Sequence, residues 1–185
     1  GLNRSSGRTV GIYPEIKQPA WHKQQGKDIS RIVVDLLSEY GYRDRTDPVY
    51  LQCFDPLETA RIRHELQCRL KLVQLIGRNR QGELVDYDDM RTVPGLKRIV
   101  EYADGIGPSL EHLVREGAGG NGTEPTDLVE NAHALGLVVH PYTLRADSLP
   151  PFATTCDALL GFLETAAVDG IFTDFPDRVV AFNRR

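Results

Sequence analysis

What most constrains this chain is an alternation, kept up along its length, of short β-rich runs with amphipathic helical stretches. The strand candidates are Thr9–Lys17, Val49–Phe54, Leu70–Ile76, Gly105–Ser109 (the weakest), Leu137–Thr143 and Gly170–Asp174. Most are nearly continuously apolar, as expected where both faces of a parallel sheet are covered. The helices between them carry start and stop signals. Asp28 caps a stripe of Ile29, Ile32, Val33, Leu36, Leu37 and Tyr40 that Gly41 closes. Asp55-Pro56-Leu57-Glu58 sets a cap, a first-turn proline and an N3 glutamate in order. Leu96, Ile99, Val100 and Ala103 repeat at helical spacing, and Thr126 is placed to cap a helix of Leu128, Val129, Ala132 and Leu135 ending at Gly136. Leu159, Phe162, Leu163 and Ala166 mark a fifth helix, and Asp174 with Pro176 opens a sixth.

Such a βα order predicts α/β architecture, and the period alone does not choose between a barrel and an open doubly wound sheet. Loop lengths add to it. Helix-to-strand links are tight, with Gly136 alone before Leu137 and Asp104 before Gly105, whereas Gln18–Lys27, Gly77–Arg91, Leu110–Pro125 and Leu144–Asp157 follow strands. In parallel βα folds those long loops gather at the C-terminal ends of the strands, where sites are built. Six units are visible, and a closed (β/α)8 barrel needs eight. On a barrel reading, the first quarter lies outside this chain.

The 185 residues suit one domain, and 26 acidic against 22 Lys+Arg side chains give a net charge of −4. That balance excludes a generic nucleic-acid binder. No apolar run is long enough to span a bilayer, and the start has neither an apolar signal core nor an initiator Met, so it reads as a chain already under way. Cys53, Cys68 and Cys156 form no CxxC pair. One bridge plus a spare thiol stays open, and the compartment with it.

The densest chemical signal is Tyr13-Pro14-Glu15-Ile16-Lys17, ending the first strand. Alternation puts Tyr13, Glu15 and Lys17 on one side, where a buried charge needs an ion, a substrate or a partner. Glu15 suits a hard divalent cation and Lys17 a phosphate; the plainer alternative is a salt bridge between them. One carboxylate cannot make a calcium site, and Asp55 and Asp174 are equally placed as helix caps. Gln52, Gln74 and His140 are candidate pocket-lining groups or buried polar core. Trp21 and His22 fall in the first long loop. His64, His112 and His133 lack metal-ligand spacing, and Gly117–Gly122 reads as a loop and not as a phosphate-cradling fingerprint.

The string Gly11-Ile12-Tyr13-Pro14-Glu15-Ile16-Lys17 resembles the third-strand signature of glycerophosphodiester phosphodiesterases, particularly the periplasmic bacterial type. Val49–Asp55, Leu72–Ile76, Tyr102–Pro108, Val138–Thr143 and Gly170–Asp177 follow in the family's order, so the resemblance covers essentially the whole chain. It implies a (β/α)8 TIM barrel, of which this chain supplies about six βα units, third to eighth. It also implies hydrolysis of a small-molecule glycerophosphodiester to an alcohol and glycerol 3-phosphate, with Ca2+ or Mg2+ as cofactor. Glu15 matches the third metal-binding carboxylate and Lys17 the phosphate-contacting lysine, while Phe54, Tyr142 and Phe175 fall at substrate-pocket positions. The family's two histidines and its Glu-x-Asp pair have no match here, so no catalytic residue is assigned within these residues. The expectation is therefore a partial barrel, inactive alone, closed by a missing N-terminal segment, a partner or self-association, and exported to the periplasm or secreted. A catalytically dead barrel-derived binding module, or an unrelated α/β phosphate-binding enzyme, are the alternatives.

Overall fold

The computed structural model describes residues 5, 7, 9–80, 82, 84–117 and 122–185. The chain divides into two compact units, one of Gly1–Leu75 with Arg98–Asp104, the other of Ile76–Lys97 with Gly105–Arg185.

In the first unit β1 (Glu15–Ile16), β2 (Tyr50–Cys53) and β3 (Lys71–Ile76) run parallel. Glu15 pairs with Gln52, Ile16 with Cys53, and Cys53 in turn with Gln74. β1 is far shorter than the Thr9–Lys17 run, although Ile12 makes a single bridge to Val49. Pro14 lacks the N–H a ladder needs, and only its carbonyl takes part, accepting from Gln52 N at 3.0 Å. The first long loop contains a helix of its own, α1 (Pro19–Gln24), before α2 (Ile29–Glu39). Asp28 caps α2 by accepting from Arg31 N, and Gly41 leaves it at φ +92°. Asp55 caps α3 (Pro56–His64) by accepting from the backbone N–H groups of Leu57 and Glu58. The core is Ile16, Leu51, Cys53, Ile62, Leu70, Leu72 and Val73, all almost fully buried.

The second unit pairs β4 (Gly105–Pro108) with the parallel strand Val138–Val139. Close approach of these two backbones requires Gly105, because a Cβ there would lie 2.7 Å from the Val138 carbonyl oxygen. The Leu137–Thr143 run stops its ladder at Pro141, beyond which Tyr142 bridges only Ser109. Gly170–Asp174 is likewise reduced to one bridge, Thr173 to Leu144.

The segment Gly77–Arg91 holds the short helix α4 (Tyr87–Met90), which precedes α5 (Val93–Val100). The segment Leu110–Pro125 folds into a 3-10 turn (Leu110–Leu113) and an antiparallel hairpin of β5 (Val114–Glu116) and β6 (Thr123–Pro125). Of the glycine-rich stretch in that hairpin, residues 118–121 lie outside the described residues. α6 (Leu128–Ala134) precedes β7, the strand Val138–Val139 named above, and α7 (Cys156–Thr165) and α8 (Pro176–Phe182) end the chain. Thr126 does not cap α6. Its hydroxyl donates to the His112 carbonyl, and Asp127 occupies the cap position. Cys53, Cys68 and Cys156 are free thiols, so the bridge left open by the sequence is not made. No helix among the described residues is long and apolar enough to cross a membrane.

Candidate functional site

The parallel register builds one face of the first unit in layers. Residues paired across parallel strands leave the sheet on the same side, so Glu15, Gln52 and Val73 share a face. One pleat lower, Tyr50 pairs with Lys71. There the Tyr13 and Tyr50 rings stack with centroids 5.0 Å apart, and the Lys71 ammonium sits 4.5 Å over the Tyr50 ring. Burial first, and then the neighbouring Tyr50, push the Tyr13 phenol well above its ordinary pKa. An aromatic floor thus lies beneath the Glu15–Gln52 layer.

The Glu15 side chain is 20% exposed and its Oε2 lies 3.0 Å from Lys17 Nζ, at a lysine side chain that is 75% exposed. The mutual ion pair that the sequence left open is therefore made. So exposed a lysine adds little to stability, on the order of 0–1 kcal/mol. Gln52 is 6% exposed, and its Oε1 has no hydrogen-bond partner among the described protein groups.

Gln74 departs from its pocket-lining expectation. Its register partner is Cys53, so it leaves the sheet on the side away from Glu15. It is fully buried, with Nε2 donating to the carbonyls of Phe54 (3.0 Å) and Leu75 (2.9 Å). The physical reason is the period of two: Gln52 pairs with Val73, so Gln74 falls in the opposite phase. Phe54 follows β2 directly and is half-buried.

Behind this face lies an ion-pair network that sequence reasoning missed. Glu58 on α3 is 4% exposed; it accepts from Lys23 Nζ at 2.7 Å and from Arg61, whose guanidinium also donates to Asp28 at 2.6 Å. Burial raises the Glu58 carboxyl, and hydrogen bonds from Arg61 and Lys23 more than reverse that, leaving it below the ordinary carboxylate value. Through Lys23, Glu58 thus ties α1, the helix that carries Trp21 and His22, to α3. Its spacing to Arg61, three residues on, was the only signal available in the sequence.

In the second unit Tyr142 donates its hydroxyl to the Ile76 carbonyl at 3.0 Å. The His140 ring lies against Gly170, where an added Cβ would come within 3.1 Å of it. Phe175 occupies the N-cap position of α8, with its backbone N–H donating to Thr173 Oγ1. Asp174 therefore does not cap that helix; its carboxylate is 3.7 Å from Arg145. His112, given no role from sequence, is buried with Nε2 2.7 Å from the Gly77 carbonyl. Burial foremost lowers its pKa, which favours the neutral ring.

Among the described residues, no three His, Cys, Asp or Glu side chains converge as a metal site. Glu15 and Gln52 nevertheless fit a hard cation as part of a donor set, since each offers oxygen and the Gln52 oxygen is buried without a partner.

Residues 1–178 match the model of the glycerophosphoryl diester phosphodiesterase family. The chain belongs to this family. It is 42% identical over 199 aligned positions to a glycerophosphodiester phosphodiesterase of Haemophilus influenzae, and 34% identical to one of Treponema pallidum. Each alignment covers 98% of this chain, but 55% and 56% of those two relatives, so the chain spans about half their length. The crystal structure of a provisionally assigned glycerophosphoryl diester phosphodiesterase from Silicibacter pomeroyi DSS-3 is similar at a TM-score of 0.67. That likeness, at 20% identity over 97% of this chain and 52% of the other, concerns the fold, which is α/β and TIM-barrel-like. Family membership sets aside the unrelated phosphate-binding enzyme.

Proposed function

We propose that these residues are part of an enzyme that hydrolyses glycerophosphodiesters to an alcohol and glycerol 3-phosphate. The observation that carries the reading is the family match across residues 1–178, joined to a carboxylate and a lysine at the end of β1. Glu15 is one carboxylate ligand of a divalent cation, Ca2+ or Mg2+, and Lys17 contacts the substrate phosphate. Such an ion, when bound, offsets the charge gathering on the phosphate oxygens. Lys17 adds a flexible point charge to the same oxygens, and its exposed side chain can swing from Glu15 to reach them. Phe54, Tyr142 and Phe175 are proposed to contact the glycerol and alcohol portions. Tyr142 presents its ring, because its hydroxyl donor is already engaged.

The proton transfers that diester hydrolysis needs are assigned to groups outside residues 1–185, and so are the remaining carboxylate ligands of the cation. The product of the gene is proposed to be exported, as in the periplasmic branch it resembles. The test is release of glycerol 3-phosphate from glycerophosphocholine with calcium, by residues 1–185 alone and by the same residues within a full-length enzyme. Turnover by the longer protein only is expected. Comparable turnover by the 185 residues alone contradicts this division of labour, and none by either favours a catalytically dead module.

A further inference from the structure

We infer that the Gln52 side-chain oxygen is a second, neutral donor to the cation that Glu15 holds, an inference that rests on the proposed role of Glu15. Gln52 is the register partner of Glu15 on the adjacent parallel strand, so the two side chains rise from the same face at the same height. The Gln52 amide is almost wholly buried, and its Oε1 accepts no hydrogen bond from any described protein group. A buried carbonyl oxygen without a donor is costly, and native structures seldom keep one without a use.

The surroundings narrow what that use is. The pleat below is filled by the stacked Tyr13 and Tyr50 rings, and the third strand contributes Val73 at the same level. Neither the phenols nor the valine donates to the Gln52 Oε1, which has no partner among the described protein groups. The one charged neighbour in register is a carboxylate, itself an acceptor. Glu15 presents an anionic oxygen and Gln52 a neutral one from the same face, and the positive charge set against the carboxylate, the Lys17 ammonium at 3.0 Å, stands on an exposed side chain that can leave it. Hard divalent cations take this mixture of carboxylate and amide oxygens. The Gln74 Oε1 is likewise without a partner among the described protein groups, but that amide leaves the opposite face, away from Glu15, with its Nε2 donating to backbone carbonyls; what sets Gln52 apart is its place in register with a carboxylate.

The test is calcium titration calorimetry on the full-length protein, comparing wild type with Gln52→Leu, Gln52→Glu and Glu15→Gln, each checked for folding by circular dichroism. Gln52→Leu should weaken calcium binding by roughly tenfold, and Gln52→Glu should tighten it by a similar factor, since added ligand charge raises affinity. A merely structural glutamine would give no tightening. Should Gln52→Glu fold only with calcium present, that dependence supports the inference equally; failure to fold at any calcium concentration overturns it. Wild-type affinity in both Gln52 variants, with binding lost in Glu15→Gln, overturns the role of Gln52 and leaves that of Glu15 standing. Unchanged binding in Glu15→Gln, or no calcium uptake by wild type, removes both.

Discussion

The Lys17 ammonium, just past β1, lies 3.0 Å from a carboxylate oxygen of Glu15, two residues back at the start of that short strand. In the proposed enzyme the two have different ligands, so their pairing is a resting arrangement that a cation and an oxyanion exchange. Lys17→Met should therefore separate the two roles. Calcium affinity is expected to rise, by about two- to fivefold, because a competing positive charge is gone. The KM for glycerophosphocholine should rise at the same time. Calorimetry and steady-state kinetics on one preparation check both, and a fall in calcium affinity would contradict the exchange.

Gln74→Leu should destabilise the fold without touching the site. The substitution strips a donor from the carbonyls of Phe54 and Leu75, a loss of about 1–2 kcal/mol. Urea unfolding should show the lower midpoint, while calcium affinity stays at the wild-type value. A large change in calcium affinity would mean that Gln74 faces the site after all.

These two glutamines show how far the sequence was legible. Both stand in β-rich runs, near strand ends, and alternation within each run was read correctly. Alternation alone cannot say how one strand is shifted against the next. That shift, Gln52 level with Val73 and Cys53 level with Gln74, sends the two amides to opposite faces. Helix starts at Asp28 and Asp55 were legible because capping is local. The Lys23–Glu58–Arg61–Asp28 network was not, since it joins side chains up to 35 positions apart. Ladder lengths were overestimated wherever a proline, Pro14 or Pro141, interrupts an apolar run. The Glu15–Lys17 pair was legible as a pair, because two residues of one strand end share a side whatever the neighbouring strands do.

Glu58→Gln should cost about 3 kcal/mol, because it leaves the guanidinium of Arg61 half-compensated in a buried setting. The pH dependence has a definite sign. The folded carboxyl of Glu58 titrates below its unfolded value, so the unfolded chain binds more protons and stability rises with pH. The contribution is complete above the ordinary glutamate range, about pH 5, and is lost as pH falls through the lower folded value. Urea midpoints of wild type and Glu58→Gln should therefore converge toward acid pH. A gap that stays constant from pH 7 to pH 3 would contradict the network.

Tyr142→Phe keeps the ring and removes the hydroxyl bond to the Ile76 carbonyl. The KM for glycerophosphocholine should stay within about twofold of wild type, with stability lower by roughly 1 kcal/mol. Tyr142→Ala should raise KM several-fold. A large rise in KM from Tyr142→Phe alone would show that the hydroxyl, and not the ring, meets substrate.

The most direct measurement is the rate of glycerol 3-phosphate release from glycerophosphocholine across a calcium titration, for the full-length enzyme and its Glu15→Gln variant. The account predicts a calcium-activated wild type and a variant whose activation is lost or moved to at least about tenfold higher calcium. A Glu15→Gln enzyme with the wild-type rate and the wild-type calcium profile would contradict it.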